Sequence, residues 1–442
     1  MSGIDFNSRI SNEPYHIYYD LNIINNDTTG QLPPPPLQFT EIRANNYLQN
    51  PTDYFASVVR FSLETPTLPV VIPQVIVGAT QTAVGDENKT IYTITLEHPS
   101  FTVAPVAPNP PPVDGCIQQH VIYVPQSNPN YFSPPAKPIT FQDIESDYYN
   151  IYTYQPFIDM INRALAEAWR LASLSSSDPI IVGLASYPES APYLWWDNQN
   201  NVATFCVIQR AFETPSPWEP LPILDFPIPI KVWFNAPLYT LFSSFISYQN
   251  GFGMPENSQG RNYQILFPDT WRPNPYRSVL PPWNAVPALI GIANPPSLPL
   301  TAWEQLITIT QEYPTTPLWN PIQSITFTTS LLPIAPSLTS VPILFGKGSS
   351  LSSRGNNSNI SNVLTDLEVS LVKGSEYKPN LLYSPAGEYR LFDLNGNAPL
   401  NAIELSVFWK DTFGQLHPFK LGSGCNASLK LMFRRKDFQG VI

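Results

Sequence analysis

The chain carries little charge. Lys, Arg, Asp and Glu make up 13% of its 442 residues, whereas roughly 25% is usual in a globular protein. Charge normally keeps large monomers apart in solution. Surfaces poor in charge and rich in aromatic side chains are typical of the centres of protein–protein interfaces. The composition therefore predicts that the protein forms an oligomer with copies of itself.

Positive charge is especially scarce. The chain has 23 Lys and Arg against 34 Asp and Glu, which gives a net charge of −11. Residues 1–40 contain a single cationic side chain, that of Arg9. A protein that holds nucleic acid by its phosphates needs a basic arm or a basic patch. This balance predicts weak or no direct binding to nucleic acid.

Cysteine is rare, and long apolar runs are absent. The 3 cysteines are Cys116, Cys206 and Cys425. Because they are odd in number and far apart, they argue against a disulfide framework and predict a reducing compartment. The sequence has no run of roughly 18 apolar residues, the length that spans a membrane. Its first residues lack the apolar core of a signal peptide. We expect no membrane span, and a protein that is made in the cytoplasm or nucleus and is not secreted.

Side chains that carry catalysis or bind metals are also few. HExxH, Cys-x-x-Cys and GxSxG motifs are absent. Residues 346–355, GKGSSLSSRG, lack the order of a phosphate-binding loop. Residues 143–149, DIESDYY, place Tyr148 where a calcium loop needs glycine. The 4 histidines do not pair at metal-ligand spacing: His16, His98, His120 and His417. The sequence predicts no enzyme, no catalytic residue, no cofactor and no metal.

Aromatic side chains are abundant, with 10 Trp, 22 Tyr and 24 Phe. They are not interleaved with runs of Lys and Arg, which disfavours stacking on nucleic acid. Packing in cores and interfaces explains them. The alternative is a lectin-like surface that binds carbohydrate near Trp195, Trp196 or Trp218.

Proline is about twice as frequent as its usual share of roughly 5%, with 51 residues. Together with aromatic and β-branched residues it favours short strands joined by stiff loops. In the first strand we place five alternate residues on one face: Phe55, Ser57, Val59, Phe61 and Leu63. Alternating patterns predict strands at 54–64, 90–98, 193–208 (two strands and a turn), 324–334, 363–372, 387–394, 402–410 and 427–435.

One segment, residues 155–173, has the pattern of an amphipathic helix. Its apolar stripe recurs at helical spacing: Phe157, Ile161, Leu165, Trp169 and Ala172. We therefore predict a mainly β protein with proline-rich loops and this helix. The predicted division is an extended arm (1–40), a β-rich domain with the helix (41–213), a proline-rich seam (214–236) and a second β-rich part (237–442).

Several blocks of the sequence resemble capsid proteins of small double-stranded DNA viruses, namely the polinton-like virus, adintovirus and virophage group. The closer resemblance is to the minor capsid or penton type. The blocks are NYLQNPTDYFASVVRFSLETPTLPVVIP (46–73), YYNIYTYQPFIDMINRAL (148–165), NAPLYTLFSSF (235–245), ITFTTSLLPI (325–334), VLTDLEVSL (363–371), YSPAGEYRLFDL (383–394) and ELSVFWKDTFGQLHPFKLGSGCNASLKLMFRRKDF (404–438).

The resemblance implies an antiparallel jelly-roll sandwich of about eight strands in two packed sheets. It implies a structural virion protein that assembles into an icosahedral capsid with other capsid proteins, after synthesis in the host cytoplasm or nucleus. Penton subunits of the group are implied to form pentamers at the vertices. Major capsid relatives carry two jelly-rolls and form trimers. The sequence leaves open a double jelly-roll or one jelly-roll with a large further domain.

The last strands fit the wall of such a sandwich. Ile403, Leu405, Val407 and Trp409 share one face, with Glu404, Ser406 and Lys410 opposite. We expect His417 and Cys425 to lie at turns without partners. In the strand 427–435 the apolar face is formed by Ala427, Leu429, Leu431 and Phe433. This strand ends in the basic triplet Arg434, Arg435 and Lys436. We predict that the triplet faces the capsid interior or contacts nucleic acid. The alternative is solvated charge that protects an edge strand from aggregation.

Overall fold

The computed structural model describes most of the chain, and the following concerns those residues: 14–27, 36–76, 88–102, 115–127, 135–138, 142, 146–185, 190–212, 228–250, 260–267, 277–282, 305–340, 358–368, 380–384, 390–412 and 414–436. Residues 346–355, residues 143–145 of the acidic segment, and residues 214–227 of the predicted seam, which include Trp218, lie outside these ranges.

The described elements are mostly short strands. Three 3-10 turns lie at Pro51–Asp53, Asp147–Tyr149 and Thr316–Leu318. In chain order the strands and helices are β1 (His16–Ile24), β2 (Gln38–Ile42), β3 (Tyr54–Glu64), β4 (Lys89–Glu97), β5 (Cys116–Ile122), α1 (Tyr154–Ser175), α2 (Pro179–Ala185), β6 (Tyr193–Asp197), β7 (Val202–Ile208), α3 (Gln209–Phe212), β8 (Lys231–Phe234), α4 (Ala236–Leu241), β9 (Ser247–Gln249), β10 (Tyr263–Ile265), β11 (Arg277–Pro282), β12 (Gln305–Thr310), β13 (Ile322–Thr328), β14 (Ser337–Ser340), β15 (Ser358–Ser361), β16 (Val363–Glu368), β17 (Asn380–Tyr383), β18 (Phe392–Asp393), β19 (Ala402–Asp411), β20 (Leu416–Pro418) and β21 (Asn426–Arg435).

Strands from the two ends of the chain form one sandwich. Its first sheet has the order β1-β21-β3-β17, and its second has the order β2-β19-β13-β16. All these neighbours are antiparallel. Counted along the chain, the first sheet holds strands 1-8-3-6 of these eight and the second holds 2-7-4-5. This is the strand order of a jelly-roll, so the predicted fold is confirmed.

The jelly-roll core lies between these sheets. The predicted inward faces of the last strands are confirmed, because Ile403, Leu405, Leu431 and Phe433 are fully buried. They pack in one hydrophobic cluster with residues of β2, β3 and β13, among them Phe327. Burial of apolar surface contributes about 25 cal/mol per Å², so this cluster is the main source of the sandwich's stability.

Strand β3 departs from its predicted face in its first half. The core takes three other side chains from this half: Tyr54, Ala56 and Val58. The cause is a β-bulge, because Arg60 pairs with Lys430 while Val58 pairs with Leu431, which leaves Val59 as an extra residue. An extra residue shifts the alternation of side chains by one. Beyond the bulge Phe61 and Leu63 are buried in the core, as predicted.

A second β unit lies in the connection between β3 and β13. It holds the sheets β5-β4-β8-β10-β9 and β11-β12-β7-β6, whose strand order is not that of a jelly-roll. Helix α1 contacts β4, β5 and β6. The predicted apolar stripe of α1 is buried in this unit's core, as Phe157, Leu165 and Trp169 illustrate. The described residues thus contain one jelly-roll with an inserted β unit.

The two cores group the chain differently from the predicted division. One cluster draws on residues 21–68 and 322–433, and the other on residues 70–319. Strand β1, from the predicted arm, pairs along its whole length with β21 near the other end of the chain. Local sequence patterns do not reveal such long-range pairing, because each strand alone has the same alternation whichever partner it takes.

Candidate functional site

The basic triplet lies at the end of β21, next to acidic and aromatic side chains of the same chain. The Lys436 ammonium is 2.8 Å from Asp393 Oδ1 and lies over the ring of Phe55. The Arg435 guanidinium lies over the ring of Tyr15, 5.7 Å from its centre. The triplet therefore lies at the end of β21, which is paired on both sides by β1 and β3 and is not an edge strand, and Lys436 is paired with an acidic neighbour.

Arg434 lies on the outer face of the same sheet as two further cations. Alternate residues of a strand share a face, so Arg434 shares this face with Lys430. Asp20 on the neighbouring β1 lies 3.3 Å from Lys430 Nζ and 3.4 Å from a guanidinium nitrogen of Arg60. The Lys430 ammonium also lies 5.4 Å from the ring centre of Tyr18. Exposed ion pairs contribute little to the stability of the fold. This charged outer face is therefore a candidate surface for binding a partner.

Large apolar side chains are exposed on strands of both jelly-roll sheets. Ile24 of β1, Ile42 of β2 and Leu382 of β17 are 70%, 73% and 76% exposed. In the described topology these three strands lie at the ends of their sheets. Exposed apolar groups on sheet edges are sites where a neighbouring chain can bind. The sequence analysis marked none of these residues, because it predicted no strand at β1, β2 or β17.

The tryptophans named for the alternative of carbohydrate binding differ in burial. Trp196 is buried and packs 5.3 Å from the rings of both Tyr154 and Trp319. Trp195, on the opposite face of β6, is partly exposed. Of the tryptophans considered for carbohydrate binding, the described part of the chain thus leaves Trp195 alone at the surface.

His417 has a partner, contrary to the prediction. Its Nε2 lies 3.0 Å from Asp411 Oδ2, and its ring stacks on Trp409 at 4.1 Å between centres. Both His417 and Asp411 are buried. Asp411 Oδ1 accepts the backbone N–H of Gln415 at 2.8 Å, so the pair fixes the turn between β19 and β20.

Cys425 also has a neighbour, the carboxylate of Glu64. Burial and this carboxylate raise the pKa of the Cys425 thiol above its ordinary value. A raised pKa keeps the thiol protonated and unreactive at neutral pH. The expectation that Cys425 has no partner is therefore wrong.

Glu404 was predicted on the outer face of β19, yet its carboxylate is buried. It accepts hydrogen bonds from Gln38 Nε2 (2.9 Å), Ser406 Oγ (2.6 Å), Ser330 Oγ (2.7 Å) and the Ser330 backbone N–H (2.6 Å). Burial alone would raise the pKa of Glu404, but these bonds outweigh it and lower the pKa below its ordinary value. The carboxylate thereby joins β2, β19 and the turn after β13.

A cavity of about 500 Å³ lies where the jelly-roll meets the inserted unit. Its lining joins Ile72 and Tyr92 of the inserted unit to Asp411 of the jelly-roll. Near the same junction Lys420 Nζ lies 2.7 Å from Asp147 Oδ2, so Asp147 of the predicted acidic loop pairs with an ammonium group. In the described ranges no three His, Cys, Asp or Glu side chains group as metal ligands.

The sequence matches the model of a known protein family over most of its length. The family model described as Sputnik minor capsid protein V18/19 matches residues 17–435. The chain belongs to this family. It is a minor capsid protein and therefore a structural component of a virion.

Two proteins of the Sputnik virophage are similar to part of the chain. "Structural protein V19" is 29% identical over 217 residues, which cover 48% of this chain and 85% of that protein. "Uncharacterized protein V18" is 32% identical over 159 residues, which cover 36% of this chain and 84% of that protein. The V18/19 family model spans more of the chain than either alignment.

Solved structures are similar in fold to nearly the whole chain. A chain in the cryo-EM structure of the Sputnik virophage is 25% identical, with a TM-score of 0.68 over 97% of this chain and 100% of that one. The crystal structure of the mavirus penton protein has a TM-score of 0.53 over 95% of this chain and 99% of that one, at 16% identity. The second likeness is one of fold. The predicted resemblance to capsid proteins of the minor capsid or penton type is confirmed.

None of the helices in the described ranges is long and apolar enough to cross a membrane. A minor capsid protein assembles with other capsid proteins, so the surfaces that can contact protein chains are its candidate functional sites. Ile24, Ile42 and Leu382 form the candidate assembly edges, and the face with Arg60, Lys430 and Arg434 is a separate, charged candidate.

Proposed function

We propose that the protein is the penton subunit of an icosahedral capsid and forms a homopentamer at its vertices, together with other capsid proteins. The observation that carries the proposal is the likeness in fold to the mavirus penton protein over 95% of this chain. Membership of a minor capsid family supports it. The trimer of a major capsid protein is less well supported, because the described sheets contain one jelly-roll.

Assembly would bury the exposed apolar edges. Ile24, Ile42 and Leu382 expose most of their side chains, and permanent interfaces of capsid type bury on the order of 2,000 Å² or more. Charge-poor contacts of this kind need little desolvation of ionic groups. The neutral composition inferred from the sequence thus supports subunit contacts.

Electron microscopy of the purified full-length protein tests this proposal. Fivefold class averages, together with a mass of five chains by light scattering, are the expected result. Threefold averages would favour a trimer instead. A protein that stays monomeric at high concentration would contradict self-assembly, although it would leave family membership untouched.

We further propose that the protein acts without catalysis. The buried imidazoles of His98 and His417 are both occupied by groups of the chain itself, with Ser100 and Ile228 around the first and Asp411 beside the second. Neither pattern leaves a nucleophile poised on a histidine that a carboxylate orients. Hydrolysis of ester, peptide, glycoside and phosphodiester substrates should stay at background, and a rate abolished by a single His substitution would contradict this.

The basic triplet retains its predicted role as a proposal. Arg434 lies on the same outer face as Arg60 and Lys430, which supports contact with an anionic partner such as the genome. The triple replacement of Arg434, Arg435 and Lys436 by Gln should leave the fold intact, as judged by circular dichroism, and should reduce genome packaging. Unchanged packaging with an unchanged fold would rule out the interior contact.

The two hydrophobic clusters support a revised division of the chain. We propose that the chain has two domains. One is the jelly-roll, which is built from the two ends of the chain, and the other is the inserted unit between β3 and β13. We also propose that the protein is made in the host cytoplasm or nucleus. In urea, amides of β21 and of α1 should lose hydrogen-exchange protection at different concentrations in the full-length protein. A single shared transition would indicate one cooperative unit instead.

A further inference from the structure

The end of β4 is tied to another segment of the inserted unit by one buried imidazole. His98 is 4% exposed. Its Nδ1 accepts the backbone N–H of Ser100 at 3.1 Å and lies 2.7 Å from the Ser100 hydroxyl. Its Nε2 lies 2.7 Å from the carbonyl oxygen of Ile228. Both ring nitrogens therefore have partners from the chain.

These hydrogen-bond partners are compatible with only one protonation form of the imidazole. A backbone N–H can only donate, and a carbonyl oxygen can only accept. Nδ1 must therefore be unprotonated towards Ser100, and Nε2 must carry the hydrogen that it donates to Ile228. The site fits the neutral ring and holds it in a single tautomer.

The same cluster holds the C-terminal end of α1. The Ser100 hydroxyl lies 2.6 Å from the Ser176 hydroxyl, which accepts the backbone N–H of Asp178 at 3.0 Å. Two backbone bonds reinforce the contact, from Ser177 N–H to Ser100 O and from Thr102 N–H to Ser175 O. The segment 98–102 is thus the dock for residues 175–178.

We propose that His98 is an acid-sensitive latch, which holds the end of α1 and the chain at Ile228 against β4 and releases them on protonation. A second proton on the ring must go to Nδ1. There it faces the backbone N–H of Ser100, which has no lone pair to offer. The Ser100 hydroxyl can rotate to accept, but the backbone N–H then loses its only acceptor in this cluster while a positive charge becomes buried.

The charged groups around His98 oppose one another. Asp178, in the connection after α1, favours the charged ring, whereas burial disfavours it. Burial is the larger effect, and the pKa of His98 is lowered from 6.5 despite the raising effects of Ile228 and Asp178. On the sheet side Glu97 is held by Lys231 at 3.3 Å and Arg261 at 3.7 Å. Residue 116, opposite Glu97 on β5, is a cysteine.

The direction of the pH effect follows from this lowering. A base with a lower pKa in the folded state binds fewer protons when folded than when released. The contact is therefore at full strength above pH 6.5 and weakens as the pH falls below that value. The jelly-roll has no part in the cluster and should keep its protection over the same range.

Hydrogen exchange of the full-length protein between pH 7.5 and pH 5.0, corrected for intrinsic rates, tests the latch. The amides of Ser100, Thr102, Ser176 and Ser177 should lose protection by up to about tenfold per pH unit below pH 6.5, until the folded pKa is reached. The variant His98→Gln, which can still donate to Ile228 but cannot take up a proton, should remove this pH dependence. His120→Gln, on β5 of the same unit, is the matched control and should behave like the wild type.

Asp178→Asn gives a second test that does not alter the imidazole. The substitution removes the negative charge that favours protonation of His98, and it keeps the backbone N–H that donates to the Ser176 hydroxyl. The loss of hydrogen-exchange protection should therefore occur at lower pH. Protection that is flat in the wild type, an unchanged fall in His98→Gln, or a shift to higher pH in Asp178→Asn would each overturn the latch. If His98→Gln does not fold, the wild-type profile and Asp178→Asn decide the question.

Discussion

A carboxylate oxygen of Glu404 lies 2.6 Å from the backbone nitrogen of Ser330. This bond joins the first part of β19 to the turn after β13, and the buried carboxylate accepts three more hydrogen bonds from side chains. Replacement by Gln would place an amide in a site built for an acceptor. Glu404→Gln should lower the free energy of unfolding by about 1–3 kcal/mol, measured by urea denaturation.

The control for Glu404 is Glu368, which is exposed on β16. Glu368→Gln should change the free energy of unfolding by no more than about 0.5 kcal/mol. Equal effects at both positions would mean that net charge, rather than the bonds to Ser330, explains the loss.

The stability of the jelly-roll should depend on pH through the same carboxylate. Hydrogen bonds lower the pKa of Glu404 below its ordinary value of 4.5 against the opposing effect of burial. The folded state therefore binds fewer protons than the unfolded state near this pH, so the contribution is complete above pH 4.5 and declines as the pH falls through the folded pKa. The difference in unfolding free energy between wild type and Glu404→Gln should shrink between pH 5 and pH 3. A constant difference over that range would contradict the assignment.

Phe433 on β21 is fully buried in the jelly-roll core. Its truncation removes apolar contacts and leaves a cavity, so Phe433→Ala should cost about 3–5 kcal/mol in thermal or urea unfolding. The same truncation at Phe408, whose side chain lies on the other face of β19 and is only partly buried, should cost much less. A small loss at Phe433 would show that the two sheets do not depend on this contact.

Ile42 on β2 should matter for assembly and not for the fold. Its side chain is 73% exposed, so a charge there meets water in the single chain but would be desolvated in a subunit contact. Ile42→Asp should leave the melting temperature of the subunit unchanged and weaken the oligomer in light scattering. Ile42→Val, which stays apolar at the same position, should assemble normally. Normal assembly of Ile42→Asp would remove β2 from the interface.

Much of the local structure could be predicted from the sequence. Alternation of apolar residues places Leu405 and Phe433 in the core, and the helical stripe places Trp169 there, because side-chain direction in regular elements follows a local period. The low charge and the many aromatic residues likewise indicate a subunit that contacts protein partners. The predictions of a jelly-roll fold and of a role in the virion came from the sequence blocks that resemble capsid proteins. Composition and alternation alone did not contain them.

Tertiary structure decided which strands are neighbours. The pairing of β1 with β21 brings the chain ends into one sandwich and leaves the segment between β3 and β13 as a separate unit. Val59 shows how a partner also changes a face, because its bulge exists only in the register with β21. The partners of Glu404, His98 and His417 depend on the same long-range register. Alternation is a property of one strand, whereas pairing, bulges and polar contacts depend on distant residues. The sequence by itself therefore determined the faces of regular strands, and the tertiary structure decided where a bulge changes a face and what each face contacts.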